Sequence, residues 1–230
     1  MSAPTDLLLH YFQWEVRTWS RAYPLWHRAL ERHKGPGGHA LALGERDGGL
    51  SLMLAQHGST TVCSDLRGPT EKARALHRAM KCEELISYET IDALAIPRPD
   101  AVFDVVAFKS MLGALSTPER QAQALLEMHR VMKPGGMLLW AENLAGTRMH
   151  QWLRHRFVAW EHYWRYLRLP QDRSLFAPFD RLEVRTTGLL ANLGRTERQR
   201  DVLGRLDAVL CPLTPPGWHT VGFGVAVKKG

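Results

Sequence analysis

The chain has no uninterrupted run of about 18 apolar residues, the length a helix needs to cross a bilayer, and this excludes a helical membrane span. Cysteine is scarce. Cys63, Cys82 and Cys211 are scattered and odd in number, so they form neither a disulfide framework nor a zinc pattern and fit a reducing cytoplasm. Repeats, low-complexity segments and lysine tracts are absent. The opening MSAPTDLLLHYFQWEVRTWS lacks a basic lead and a small-residue cleavage site, so it does not read as a signal peptide. Positive charge is abundant, at a formal net +7 over 230 residues. Such a balance favours anionic partners: nucleic acid, a membrane surface or an acidic metabolite. Here the excess is spread along an Arg-rich chain with no recognisable nucleic-acid module. Hydrophobic content of 45% with 23% charge suits one α/β domain with a full core.

The stretch His39 to Asp65, HALALGERDGGLSLMLAQHGSTTVCSD, reads as a buried strand, a glycine turn, a helix, a second strand and an acidic tip. Gly44, Gly48 and Gly49 lack Cβ, so the backbone turns tightly and can approach a ligand. The helix starting near Gly49 points amide donors and its positive dipole end into the same crevice. Asp65 follows the first glycine by about 20 residues, the spacing at which a carboxylate accepts from ribose hydroxyls. The unit is suited to a nucleoside cofactor.

The pattern predicts one helical stretch over 5–33, broken near Pro24, and a loop at 34–38. Strands are expected at 40–43, 60–64, 85–89, 103–108 and 137–141, with helices at 50–56, 71–80 and 118–132 between them. The last helix should bury Ala122, Leu125, Leu126, Met128 and Val131. Strand–helix alternation argues for a mostly parallel sheet covered on both faces. An Arg-, His-, Trp- and Tyr-rich helical stretch at 146–169 follows, then strands at 182–187 and 219–227 around a helix at 197–210.

This arrangement resembles the class I S-adenosylmethionine-dependent methyltransferases. The resemblance rests on ALALGERDGGLSLMLA, VCSDL, TIDALAIP, FDVVAFKSMLGAL and LLEMHRVMKPGGMLLWAEN. It implies an α/β, three-layer Rossmann-like fold. Its seven-stranded, mostly parallel sheet would run in the order 3-2-1-4-5-7-6, with strand 7 antiparallel and a helical insertion after strand 5. Residues 1–230 would form a single methyltransferase domain, with 1–38 as a helical cap and 146–180 as a helical lid. S-adenosylmethionine is the implied cofactor and S-adenosylhomocysteine the product.

The resemblance places Gly44, Glu45, Arg46, Gly48 and Gly49 beside the cofactor's methionine end. Asp65 would hold the ribose. Leu66 and Ile91 would flank the adenine, and Asp92, with Ala93, would accept from its amino group. The glycine loop departs from the family pattern: Ala42 stands at a commonly acidic position, and Arg46 replaces the middle glycine. Arg46, alone or with Arg17, would then balance the methionyl carboxylate through its two-pronged donor geometry. Glu45 or another carboxylate would receive the ammonium. Trp14, Glu15, Arg17 and Trp19 either fold over the cofactor or pack on the sheet edge.

Lys109, at the exit of strand 4, lies where cofactor and acceptor meet. It would steer an anionic acceptor or, with a lowered pKa, take its proton; the alternative is a solvated loop lysine. Ser110, Met111, Asn143 and Trp152 are the other acceptor-side candidates, while Glu142 either joins them or bonds within the core edge. His150 is the first candidate general base and His155 the second, because imidazole takes a proton near neutral pH. His150, His155 and His162 raise a metal-site reading, but 150 to 155 is a poor same-face spacing and no carboxylate cluster accompanies them, so no metal is expected.

The expected reaction is O-methylation of a small-molecule or saccharide acceptor, an anionic one among the options, in the cytoplasm. N- and C-methylation stay open, as does the oligomeric state. An Asn-Pro-Pro-Tyr run and a Pro-Cys pair are absent, which argues against methylation of DNA amino groups and of cytosine C5. The alternatives are an RNA-modifying methyltransferase, favoured by charge, and a non-catalytic cofactor-binding member. An NAD-type dehydrogenase would leave the full G-x-G-x-x-G spacing unmet.

Overall fold

The computed structural model describes residues 5–33, 38–159 and 161–230, without the side chains of Thr5 and Glu161. The expected loop residues 34–37 and the lid residue Trp160 lie outside the described residues. The N-terminal helical stretch is divided into α1 (Thr5–Phe12), α2 (Val16–Trp19) and α3 (Tyr23–Arg32). The break falls earlier than Pro24, at Gln13 and Glu15, whose φ of 63° and 47° is left-handed and cannot continue a helix. Pro24 opens α3 instead, where a missing N–H costs nothing.

The strands are β1 (His39–Leu43), β2 (Thr60–Asp65), β3 (Ile86–Thr90), β4 (Phe103–Lys109), β5 (Met132–Asn143), β6 (Arg181–Thr187) and β7 (Val221–Val227). They form one sheet in the order β3-β2-β1-β4-β5-β7-β6. β7 runs antiparallel to both β5 and β6, and the remaining pairings are parallel. The helices joining the strands are α4 (Gly49–Gln56), α5 (Glu71–Ala79), α6 (Pro118–Val131), α7 (Arg148–Phe157), α8 (Leu169–Asp172) and α9 (Glu197–Leu210). The order reverses between β1 and β4, which opens a crevice outside their carboxyl ends.

Central strands are apolar on both faces, as expected where helices cover both. Ala40, Ala42, Val105, Ala107 and Leu139 face a core built with α1, α3 and α4, including Tyr11, Phe12, Trp19, Trp26 and Leu52. Leu41, Leu43, Val106, Phe108, Leu138 and Trp140 face the other, with Leu125, Met128 and Val131 of α6. The apolar side of α6 is rotated from the sequence expectation. Leu126 is exposed, and Gln121 is buried because its amide donates to Leu112 O at 2.9 Å. β5 also begins five residues earlier than expected, at Met132, with a register shift against β4 between Phe103 and Val105.

Candidate functional site

The glycine turn lies at the carboxyl end of β1. Gly44 has φ +64°, and a Cβ there would lie 2.4 Å from Met111 Cγ. Both backbone sign and space therefore require glycine. A Cβ on Gly49 would lie 2.2 Å from Tyr11 O, so α1 rests directly on this turn. Gly48 (φ +81°) is the N-cap of α4, and its carbonyl accepts from His77 Nε2 at 2.7 Å. His77 also pairs with Tyr88 Oη at 2.9 Å, and burial lowers its pKa. No pattern in the sequence singles out His77; its position inside the α5 packing does.

Glu45 corrects one expectation. Its carboxylate accepts from the amides of Leu50 and Ser51, the first turn of α4. It thereby uses donors that would otherwise face a ligand, and it is not placed to receive a methionyl ammonium. Burial pushes its pKa up to about 7. Arg46 is exposed at the rim. Arg17 is removed from that role, since its guanidinium pairs with Asp201 on α9.

These groups line a cavity of about 340 Å³. Gly44, Glu45, Arg46, Gly49, Lys109 and Ser110 contribute to it, together with Asp47 of the same loop, Trp14 of the expected cap, and Tyr11 and Gln13, for which the sequence carries no signal. Gln13 ties the N-terminal segment to the loop by donating to Asp47 O at 2.7 Å.

Lys109 is the last residue of β4 and is not solvated. Its Nζ donates to Phe12 O at 2.8 Å and lies 3.8 Å from the centre of the Trp14 ring. Burial brings its pKa down to about 7, and Glu15 and Glu45 only partly oppose that shift. After it, Ser110 takes a left-handed φ of 52°, held because Glu142 accepts from Met111 N at 2.9 Å and Asn143 donates to Ser110 Oγ at 2.7 Å. Glu142 is fully buried and also accepts from Asn143 N at 2.7 Å. Its burial raises the pKa to about 7, and its task is to bind the loop to β5.

One strand further along, β2 ends at half-buried Asp65, with Ile91 N donating to Asp65 O at 3.2 Å. Leu66 is exposed and Asp92 is exposed, with Asp92 Oδ1 accepting from Leu94 N at 2.9 Å. Ala93 is buried beside them. Ile91 is a correction: it belongs to the core under the crevice, which leaves Leu66 as the apolar surface there.

His150 is a second correction. Its Nδ1 meets Thr147 N and Oγ1 at 3.2 and 2.8 Å, and its Nε2 meets Leu189 O at 2.7 Å. It closes a capping box at the start of α7, is buried, and has a lowered pKa, so both ring nitrogens serve the fold. His155 and Trp152 are exposed on α7. Among the described residues, none of His150, Trp152 or His155 lines the cavity. Two arginines of this region are also engaged. Arg154 donates to Leu144 O at 2.7 Å, and Arg165 pairs with Asp172 at 2.6 Å.

Residues 41–140 match the family model described as a methyltransferase domain. An uncharacterised protein of Mycobacterium tuberculosis is 35% identical over 104 residues, 45% of this chain and 36% of that protein. The ubiquinone/menaquinone biosynthesis C-methyltransferase of a Ruegeria species is 37% identical over 89 residues, 38% of this chain and 34% of that enzyme. The matches thus span about a third of the length of these curated relatives. Among solved structures, Haemonchus contortus phosphoethanolamine N-methyltransferase 2, in complex with S-adenosyl-L-methionine, superposes with a TM-score of 0.64. It is 18% identical, over 97% of this chain and 57% of that one. A SAM-dependent methyltransferase of Methanosarcina mazei gives 0.58 at 15% identity, over 87% of this chain and 97% of that one.

Proposed function

We propose that this chain, whose residues 41–140 match a methyltransferase-domain family model, transfers a methyl group from S-adenosylmethionine to a small-molecule acceptor. The observation that carries the reading is the cavity at the β1–β4 reversal, roofed by α1 and floored by the glycine turn. The donor's adenosyl part would lie over Leu66 with its ribose hydroxyls on Asp65 and its amino group on Asp92. The methionine end would enter the cavity toward Arg46 at the rim, whose guanidinium suits a carboxylate. The sulfonium would sit beside Lys109. A neutral amine is tolerated there, whereas an ammonium would repel it.

Methyl transfer is an in-line displacement in which the acceptor atom attacks as the thioether leaves. The chain's contribution is mainly positioning. Ser110, Met111 and Asn143 form the acceptor edge, and the segment 146–180, including Trp152, serves as the lid. The described N-terminal residues 5–33 act as the cap over the methionine end. With both nitrogens of His150 engaged, Lys109 is the base available to an oxygen acceptor, since a pKa lowered to about 7 leaves about half of its amine neutral at neutral pH. His155 is exposed and would act only if the lid closed.

Photo-crosslinking with radiolabelled S-adenosylmethionine tests the site. Label should fall in peptides containing 44–50, 65–66, 91–93 or 109–111 and be displaced by S-adenosylhomocysteine but not by NAD. Label elsewhere, or displacement by NAD alone, would overturn the proposal.

A further inference from the structure

On the far side of α4 from the crevice, three side chains converge that no part of the methyl-transfer reading uses. His27 and Glu31 stand one turn apart on α3, and His57 caps the C-terminus of α4. One ligand atom from each lies within 4.8 Å of the other two. His27 Nδ1 and His57 Nε2 are 2.9 Å apart. A tetrahedral zinc ion with bonds of about 2.0–2.2 Å keeps its ligand atoms on the order of 3.4 Å apart. Small side-chain adjustments bring this trio to that spacing.

The surroundings orient the rings for a cation. His57 Nδ1 lies 2.8 Å from Met53 O, an acceptor only, so Nδ1 carries the proton and Nε2 presents its lone pair toward His27. A ligating histidine is held in this way by its other nitrogen. Tyr23 stacks on His27 with centroids 5.5 Å apart and an interplanar angle of 12°, which fixes that ring's plane. The histidines are half-buried and Glu31 is exposed, so the site is open to the solvent on one side.

We infer that His27, Glu31 and His57 bind a zinc ion that ties the N-terminal α3 to the end of α4. Two imidazoles and one carboxylate suit zinc, whereas calcium and magnesium favour all-oxygen sites. A solvent molecule completes the fourth position. In the ion-free form His27 and His57 share a proton between facing nitrogens. On binding, the His27 proton moves to Nε2, so both rings ligate as neutral imidazoles with no net proton change. The eight residues of α4 span about 12 Å, which separates the ion from the glycine turn and makes it a structural tie rather than a participant in transfer. The inference does not rest on the proposed activity.

The test uses the full chain, stripped with a chelator and then titrated with zinc against a chromophoric competitor, with thermal unfolding followed in parallel. One zinc per chain and a higher unfolding temperature are expected. In His57→Gln, affinity should fall by at least a hundredfold and the temperature rise should vanish, while the far-ultraviolet dichroism stays native. If His57→Gln does not fold, the exposed Glu31→Gln takes its place, with a loss of at least tenfold expected. No zinc binding by the wild type at micromolar concentration overturns the inference. So does equal binding by wild type and a folded variant, because the ion would then lie elsewhere.

Discussion

A lysine with a pKa near 7 is half neutral at neutral pH, and Lys109 lies where the reading places the donor's sulfonium. S-adenosylmethionine and its demethylated product share every titrating group and differ in the charge on sulfur, so their affinity ratio isolates this contact. The pKa is lowered, so Lys109 is charged below about 7 and neutral above it. Preference for the cationic donor should therefore grow as pH rises from about 6 to about 8. The expected change is about tenfold, equivalent to roughly 1.4 kcal/mol of like-charge repulsion relieved. In Lys109→Met the ratio should stay flat with pH. A parallel pH dependence in variant and wild type would place the sulfonium away from this side chain. Gly44 and Asp65 have sequence signals for their places, a turn and a strand tip. Glu142 has the signal of a strand end, and its contact with Met111 N follows the core-edge alternative; His77 has none, because it acts through a backbone contact with Gly48, 29 residues away.

At the scale of elements, the cap over the cavity depends on α1 lying against a glycine. Gly49→Ala would set a Cβ 2.2 Å from Tyr11 O, in backbone that cannot rotate away. Overpacking of this kind costs about 1–3 kcal/mol. The variant should unfold at lower denaturant and bind the donor more weakly, because α1 must move off the loop. Unchanged values in both measurements would contradict the docking of α1. The capping box on α7 gives an independent prediction. His150→Ala removes bonds to Thr147 and Leu189 and should cost about 1–3 kcal/mol in denaturant unfolding. Donor affinity should be unchanged, as His150 does not line the cavity. Lost donor affinity in a stably folded variant would return His150 to the site. The histidine's role was hidden in the sequence because Leu189, its partner, is 39 residues away. The Thr-x-x-His spacing alone gave no sign that the ring would turn back onto the cap.

For the whole molecule, apolar runs and glycine turns made the alternation of strands and helices legible, whereas the strand order and the antiparallel last strand were legible only through the family resemblance that the glycine turn and the Lys-Pro-Gly-Gly block carry. The N-terminal helices were legible as helical but not as three pieces, since Gln13 and Glu15 take left-handed backbone that their residue types do not announce. On α6 a core-side position goes to Gln121, whose amide is satisfied by Leu112 O, while Leu126 is exposed; residue type alone announces neither. In the proposed reaction the donor binds in a single crevice at the β1–β4 reversal, with Asp65 at the ribose. Calorimetric titration with S-adenosylhomocysteine, on wild type and Asp65→Ala side by side, addresses it directly. One site per chain is expected in the wild type and at least a tenfold loss in the variant, the effect of removing a carboxylate that accepts hydrogen bonds worth about 1.5–3 kcal/mol. Absence of binding by folded wild type, or equal affinity in the two proteins, would contradict it.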